Sequence, residues 1–311
     1  MDKEVYDVII IGGGPAGLSA AVYAMRANIK TLLIEKQVIG GQVSITESVK
    51  NYPGFVEISG VDFSMKLAEQ ADSLGLQIVY DTVVDLKLKG EIKEVSTGNG
   101  TFFAKTIILS MGASAKGLNL PGEQNYIGKG ISYCAVCDGA FFKGKNVAVI
   151  GGGNCAMQDV LYLAKLANKV YHIHRKKTFK ADALNVEAVA ALAGGKGGNV
   201  QQFLGATTLG ILGEKKVSGL KIRKADGKDE TLAIEGVFIA VGREPQTDCV
   251  KGQVELDENG YILADAKMRT NIDGVFAAGD VVKKDLRQIV TAVSDGAVAA
   301  TEVGSYLRGK R

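Results

Sequence analysis

A chain of 311 residues, 46% hydrophobic and 23% charged, has the proportions of a globular protein with room for two domains, which excludes a small stapled module and a disordered chain. A formal net charge of +3 on dispersed Lys and Arg residues argues against a nucleic-acid partner, and no apolar run reaches transmembrane length. Forty glycines without a short repeat point to tight turns and close ligand approach, and four cysteines are too few for a disulfide framework. The first residues run straight into a strand pattern without a signal-peptide layout, so a cytoplasmic, membrane-free protein is expected.

In chain order, the apolar run Val8 to Ile11 leads into Gly12-Gly13-Gly14-Pro15-Ala16-Gly17 and then a helical stretch. This is the strand, glycine turn and helix of a dinucleotide-binding βαβ unit, with Gly12, Gly14 and Gly17 in the G-x-G-x-x-G places. The next strand, TLLIE, ends in Glu35, followed by Lys36; an acid at that strand tip is placed to hold a ribose hydroxyl pair and suits FAD or NAD. The stretch IGGQVS, with Gly40, Gly41 and Gln42, adds a second glycine turn. A β-rich region then leads to the strand Thr106 to Ala113, which closes at Gly112.

Next comes Cys134-Ala-Val-Cys137-Asp138. A zinc site would have to draw on Cys155, Cys249, His172 and His174, which lie in or near the nucleotide motifs or stand alone, and a structural staple over two residues constrains little. A redox pair is the stronger reading, with Asp138 the candidate general acid and base.

The glycine turn then recurs. Gly151, Gly153 and Ala156, with Asn154 opening the helix, follow the strand Val147 to Ile150. The offset from Gly12 to Gly151 is 139 residues, and the same offset carries Glu35 onto His174. His174, Arg175, Lys176 and Lys180 would attract a 2′-phosphate, so this second unit reads as an NADPH site. It closes with Gly236 to Glu244. A tail follows that has no counterpart after the second unit: a strand ending in Gly279-Asp280 and a terminal helix. The expected fold class is therefore α/β, two Rossmann-like, three-layer ββα nucleotide-binding domains, the NADPH domain inserted into the FAD domain. Residues 1–115 and 246–311 form the first and 116–245 the second, with hinges near Lys116 and Pro245.

The ordered set GGGPAG, IGGQ, NYPGF, CAVCDG, GGGNCA, HRKKTFK, TNIDGVFAAGD and RQIVTAVSDG resembles the low-molecular-weight bacterial-type thioredoxin reductases over nearly the whole chain. The resemblance implies FAD and NADPH, a homodimer, and a disulfide that the flavin reduces and that then reduces thioredoxin or a thioredoxin-like protein. It adds Asn51, Arg287, Gln288 and Ala292 to the FAD contacts, and it makes Cys137 the sulfur nearer the flavin and Cys134 the attacker. Three departures from the family pattern stand out: Val136 between the cysteines, Cys155 in the second glycine turn, and a basic motif with Lys176 and Lys180 where arginines are usual. NADH or ferredoxin as donor, and a non-catalytic redox-sensing flavoprotein, are the alternatives.

Overall fold

The computed structural model describes residues 4–46, 48–194 and 198–309. Contacts divide the chain into two compact units, 1–114 with 244–311, and 115–243.

The first unit begins with β1 (Val5–Ile11), α1 (Pro15–Arg26) and β2 (Thr31–Glu35), followed by α2 (Gly60–Asp72), whose amino end is capped by Ser59. Then come β3 (Gln77–Tyr80), β4 (Val83–Lys87), β5 (Lys93–Thr97) and the long β6 (Thr101–Leu109). Strands β1, β2, β3 and β6 run parallel, while β4 and β5 form an antiparallel meander on β6. The continuous apolar character of β1 has a direct cause, since both of its faces are covered. Val8 and Ile10 pack under α1, whereas Ile9 and Ile11 pack toward Leu86 and Val95 of the meander. That alternation yields helix, sheet and meander layers.

The chain leaves through β7 (Ala113–Ala115) and builds the same plan again. A short β8 (Ile131–Ser132) leads into the single helical turn α3 (Ala135–Asp138). Then come β9 (Asn146–Ile150), α4 (Asn154–Leu163), β10 (Lys169–His174), α5 (Ala183–Gly194) and β11 (Val200–Leu204). The meander is β12 (Thr207–Gly213), β13 (Val217–Arg223) and β14 (Asp229–Ala233), and β15 (Gly236–Ile239) closes the unit. Among the described residues its central sheet is parallel in the order β11-β10-β9-β15-β8. Val147 and Val149 face α4, and Ala148 and Ile150 face Leu220 and Ile222 of the meander.

The chain returns through β16 (Arg243–Pro245), which pairs with β7, then adds β17 (Val275–Ala277) beside β6 and ends in α6 (Ile289–Gly309). Helix α6 lies against α1 at backbone distance, for a side-chain carbon on Gly296 would stand 2.1 Å from the Ala16 carbonyl oxygen. Two Rossmann-like, three-layer units are therefore present. The tail also has a structural counterpart that the sequence pattern conceals: the place beside the closing strand that β17 takes in the first unit is taken in the second by β8, which precedes the glycine turn instead of following the closing strand. No described helix is long and apolar enough to cross a membrane.

Candidate functional site

Each unit carries a glycine turn at the carboxyl end of its first strand, where ligands of open α/β sheets bind. In the first, Gly12 has φ +104°, and a Cβ on it would stand 2.5 Å from the Ser110 carbonyl oxygen, so no other residue fits. Its N–H donates to the Ile34 oxygen at 2.8 Å. Gly14 caps α1, with Pro15 at the first helical position, and a Cβ on Gly14 would meet nothing within 4 Å. The turn is thus closed on the protein side and open on the ligand side, a cradle for a phosphate group. Glu35 is buried and accepts the Gly13 N–H at 2.7 Å through Oε2 and the Gln37 N–H at 2.8 Å through Oε1, with Lys36 exposed beside it.

Of the other expected residues of the first unit, Gly40 and Gly279 abut this turn, and the rest make contacts of their own. The Gly40 N–H donates to the Gly13 oxygen at 2.8 Å, and the Gly41-Gln42-Val43 turn follows. Asn51 donates through Nδ2 to Gln288 Oε1 at 3.0 Å. Gly112, with φ +70°, lies just past β6 and its carbonyl accepts the Gln246 N–H. Gly279, φ +82°, abuts the Ala16 methyl and lies near that of Ala292, and Asp280 follows in the same turn. Arg287 donates to the carbonyls of Lys284 at 2.9 Å and Val282 at 3.2 Å and lies over the Tyr261 ring at 4.0 Å. In this arrangement the guanidinium pins the loop after Asp280. Asp295, which lies within the RQIVTAVSDG stretch but was not among the expected site residues, accepts the Gly279 N–H at 3.0 Å and pairs with Lys284.

The second unit repeats the frame residue for residue. A Cβ on Gly151 would stand 2.3 Å from the Ala240 oxygen, and the Gly151 N–H donates to the Ile173 oxygen at 3.0 Å. Gly153 caps α4, and Asn154 holds the segment before α5 by accepting the Asp182 N–H at 2.8 Å. His174 covers Gly152 as Glu35 covers Gly13; its Nε2 donates to the Thr178 oxygen at 3.1 Å and its ring stacks on Phe179. Arg175, Lys176 and Lys180 are exposed, and the Lys180 N–H donates to the Gly152 oxygen at 2.8 Å, so the basic run is fastened to the glycine turn. His172 is fully buried, donating from Nε2 to the Gly151 oxygen at 3.0 Å, with the Gln202 amide 3.3 Å from Nδ1; burial pushes its pKa down to about 4.

The cysteine pair follows β8 at its carboxyl end. Cys134 and Cys137 form a disulfide, with their Cα atoms 5.3 Å apart, and the Cys137 N–H donates to Cys134 Sγ at 3.2 Å. Ser132 donates from its hydroxyl to Asp138 Oδ2 at 2.6 Å and accepts the Cys134 N–H at 3.0 Å. Tyr133 donates to Glu123, whose buried carboxylate also accepts the Leu118 and Leu120 N–H groups; burial, then the Glu123 charge, pushes the Tyr133 phenol up to about 12. Behind the turn lies α4, whose Met157, Val160 and Leu163 share a core with Ala135. Ser132 and Glu123 lie outside every recognisable motif; only the structure brings them beside the cysteine turn.

Residues 6–296 match the model of the pyridine nucleotide-disulphide oxidoreductase family. The chain is 41% identical over 304 residues to the thioredoxin reductase of Treponema pallidum, covering 97% of both proteins. A solved thioredoxin reductase from Streptococcus pyogenes matches with a TM-score of 0.91 at 39% identity, covering 98% of this chain and 99% of that one. A ferredoxin-flavin thioredoxin reductase from Clostridium acetobutylicum matches at 31% identity and a TM-score of 0.54, with 99% of each chain covered.

Proposed function

We propose, for a chain that belongs to the pyridine nucleotide-disulphide oxidoreductases and within them to the thioredoxin reductases, that it passes electrons from NADPH through FAD and the Cys134–Cys137 disulfide to thioredoxin. The observation that carries this reading is the disulfide itself, formed at the carboxyl end of a parallel strand in the unit whose strand tip is basic. When bound, FAD supplies the two-electron chemistry that joins a nicotinamide to a disulfide.

The residues of the first unit fit a flavin dinucleotide. The Gly12 to Gly17 turn, open at Gly14, would hold the pyrophosphate, and Glu35, oriented by two backbone N–H groups, would accept ribose hydroxyls. In the second unit the Gly151 to Ala156 turn and Arg175, Lys176 and Lys180 would hold NADPH and its 2′-phosphate. Once the disulfide is reduced, the Cys134 thiolate attacks the thioredoxin disulfide, one thioredoxin sulfur leaves as thiolate, and Cys137 displaces the other to restore the Cys134–Cys137 bond. Asp138, held by the Ser132 hydroxyl, takes and returns the proton of that exchange. The β7–β16 ladder, at both chain crossings, is the hinge in this reading. We read the protein as a cytoplasmic homodimer, supported by the exposed apolar side chains Ile45, Val56, Val61 and Met65 within one stretch of the first unit.

Cys134→Ser and Cys137→Ser each remove the exchange and leave flavin binding intact. Steady-state reduction of thioredoxin with NADPH, NADH and reduced ferredoxin compared as donors is the test, and full activity in either variant defeats the reading. The ferredoxin arm is included because a ferredoxin-flavin relative shares the fold.

A further inference from the structure

We propose that Phe179 is a positioning residue for coenzyme choice: its ring, stacked on His172 and His174, fixes the basic loop of the second glycine turn in the shape that takes a 2′-phosphate. The inference rests on the reading of that unit as an NADPH site.

From Arg175 to Lys180 every side chain is exposed except that of Phe179. Its ring packs against the core that α4 shares with β9 and lies nearly parallel to two imidazoles, 5.3 Å from His172 at 6° and 5.4 Å from His174 at 23°. The two histidines flank Ile173 on β10, so their side chains leave the same face of the strand. The His172 ring is fixed by the sheet: it is fully buried, donates to the Gly151 oxygen at 3.0 Å and has the Gln202 amide 3.3 Å from Nδ1. The His174 ring bonds the Thr178 oxygen at 3.1 Å, inside its own loop, a bond that does not join the ring to the sheet. Phe179 makes that join by stacking the strand-tip imidazole on one that the sheet already holds.

Backbone bonds secure the loop on either side of this stack. The Gly205 N–H donates to the Lys176 oxygen at 3.1 Å and the Lys180 N–H to the Gly152 oxygen at 2.8 Å. Those ties act at Lys176 and Lys180, and the Phe179 stack acts on the span between them.

The first unit shows what the ring adds. There the Gly40 N–H makes to the Gly13 oxygen, at 2.8 Å, the bond that Lys180 makes to Gly152. The preceding residue is again apolar: Ile39, which a Cβ on Gly13 would meet at 2.6 Å. The loop from Glu35 to Gly40 is one residue shorter than that from His174 to Lys180. Its strand-tip carboxylate needs no stack, since the Gly13 and Gln37 N–H groups orient it. His174, in the longer loop, takes its orientation from an aromatic neighbour. A phosphate site built from long side chains loses affinity when loop and side chains must be ordered on binding. A loop fixed in advance avoids that loss for Arg175, Lys176 and Lys180, and it does so only for a ligand that carries the 2′-phosphate.

The test is calorimetric titration of the flavin-loaded, oxidised protein with NADP⁺ and NAD⁺, which differ by the 2′-phosphate and do not turn over with the oxidised enzyme. Phe179→Leu keeps apolar volume but has no flat face, and should weaken NADP⁺ by about three- to tenfold while NAD⁺ stays within about twofold. Phe179→Tyr, which retains the ring, should restore the wild-type ratio. With thioredoxin as acceptor, the KM for NADPH should rise in Phe179→Leu at unchanged kcat. Should Phe179→Leu not fold, Phe179→Met, whose flexible chain fills more of the ring's place, carries the test. Equal losses for the two nucleotides, a ratio that the substitution leaves unmoved, or Phe179→Tyr as weak as Phe179→Leu overturns the inference alone. A wild type that binds NADP⁺ no more tightly than NAD⁺ overturns the NADPH reading beneath it.

Discussion

The two glycine-turn units repeat one backbone frame although most of their side chains differ. Both first strands end in a glycine whose N–H bonds the second strand, and both middle glycines lie under the residue at the second-strand tip. Three of the differing pairs stand at informative places: Gly17 against Ala156, Glu35 against His174, and Leu33 against His172. The frame is therefore a matter of backbone hydrogen bonds and close approach, while ligand charge is decided at the strand tip. A chain can change what a unit binds there without disturbing its sheet.

The largest effect should come from exchanging the third-glycine residues. A Cβ on Gly17 would stand 1.9 Å from the Gly12 oxygen, a contact that only backbone displacement relieves. Gly17→Ala should open the first turn, abolish flavin absorbance and lower the melting temperature. The reverse change, Ala156→Gly, removes a methyl from a turn that already accommodates it and should cost only about 1 kcal/mol through helix propensity. Equal effects of the two would break the comparison.

The strand tips give the next effect. If Arg175, Lys176 and Lys180 hold a 2′-phosphate, neutralising all three should weaken NADPH by roughly 1–3 kcal/mol per charged hydrogen bond while NADH changes little. Binding titrations with both coenzymes check this, and equal losses would reduce the basic run to solvated surface.

Much of this frame was legible in the sequence because glycines at forced positive φ, such as Gly12, leave a mark that no other residue can fill. The 139-residue register was legible for the same reason. What escaped had no periodicity to announce it. Strand β8 is two residues long, too short for an alternation, so its equivalence to β17 emerges only from pairing. The packing of α4 against Ala135 of the cysteine turn joins residues more than twenty positions apart, which no local spacing announces. The motif resemblance singles out Arg287, but not that its guanidinium bonds backbone carbonyls.

The smallest effect sharpens the comparison inside the second strands, where Leu33 is plain core and His172 is a buried imidazole bridging Gly151 and Gln202. Burial holds His172 near about 4, below its usual 6.5, so the unfolded chain binds its proton more readily than the folded one. The neutral histidine's contribution is fully present above 6.5 and is lost as pH falls through about 4, a change of up to about 3 kcal/mol. His172→Leu, which makes the second unit match the first, should cost about 1–3 kcal/mol at neutral pH because the Gly151 carbonyl and the Gln202 amide lose their partner. It should also flatten that acid loss, so the variant's deficit narrows as the solution is acidified. Urea unfolding followed between about pH 4 and about pH 7 reads both slopes. A deficit that stayed constant over that window would mean that His172 is not the group through which acid loosens the second glycine turn.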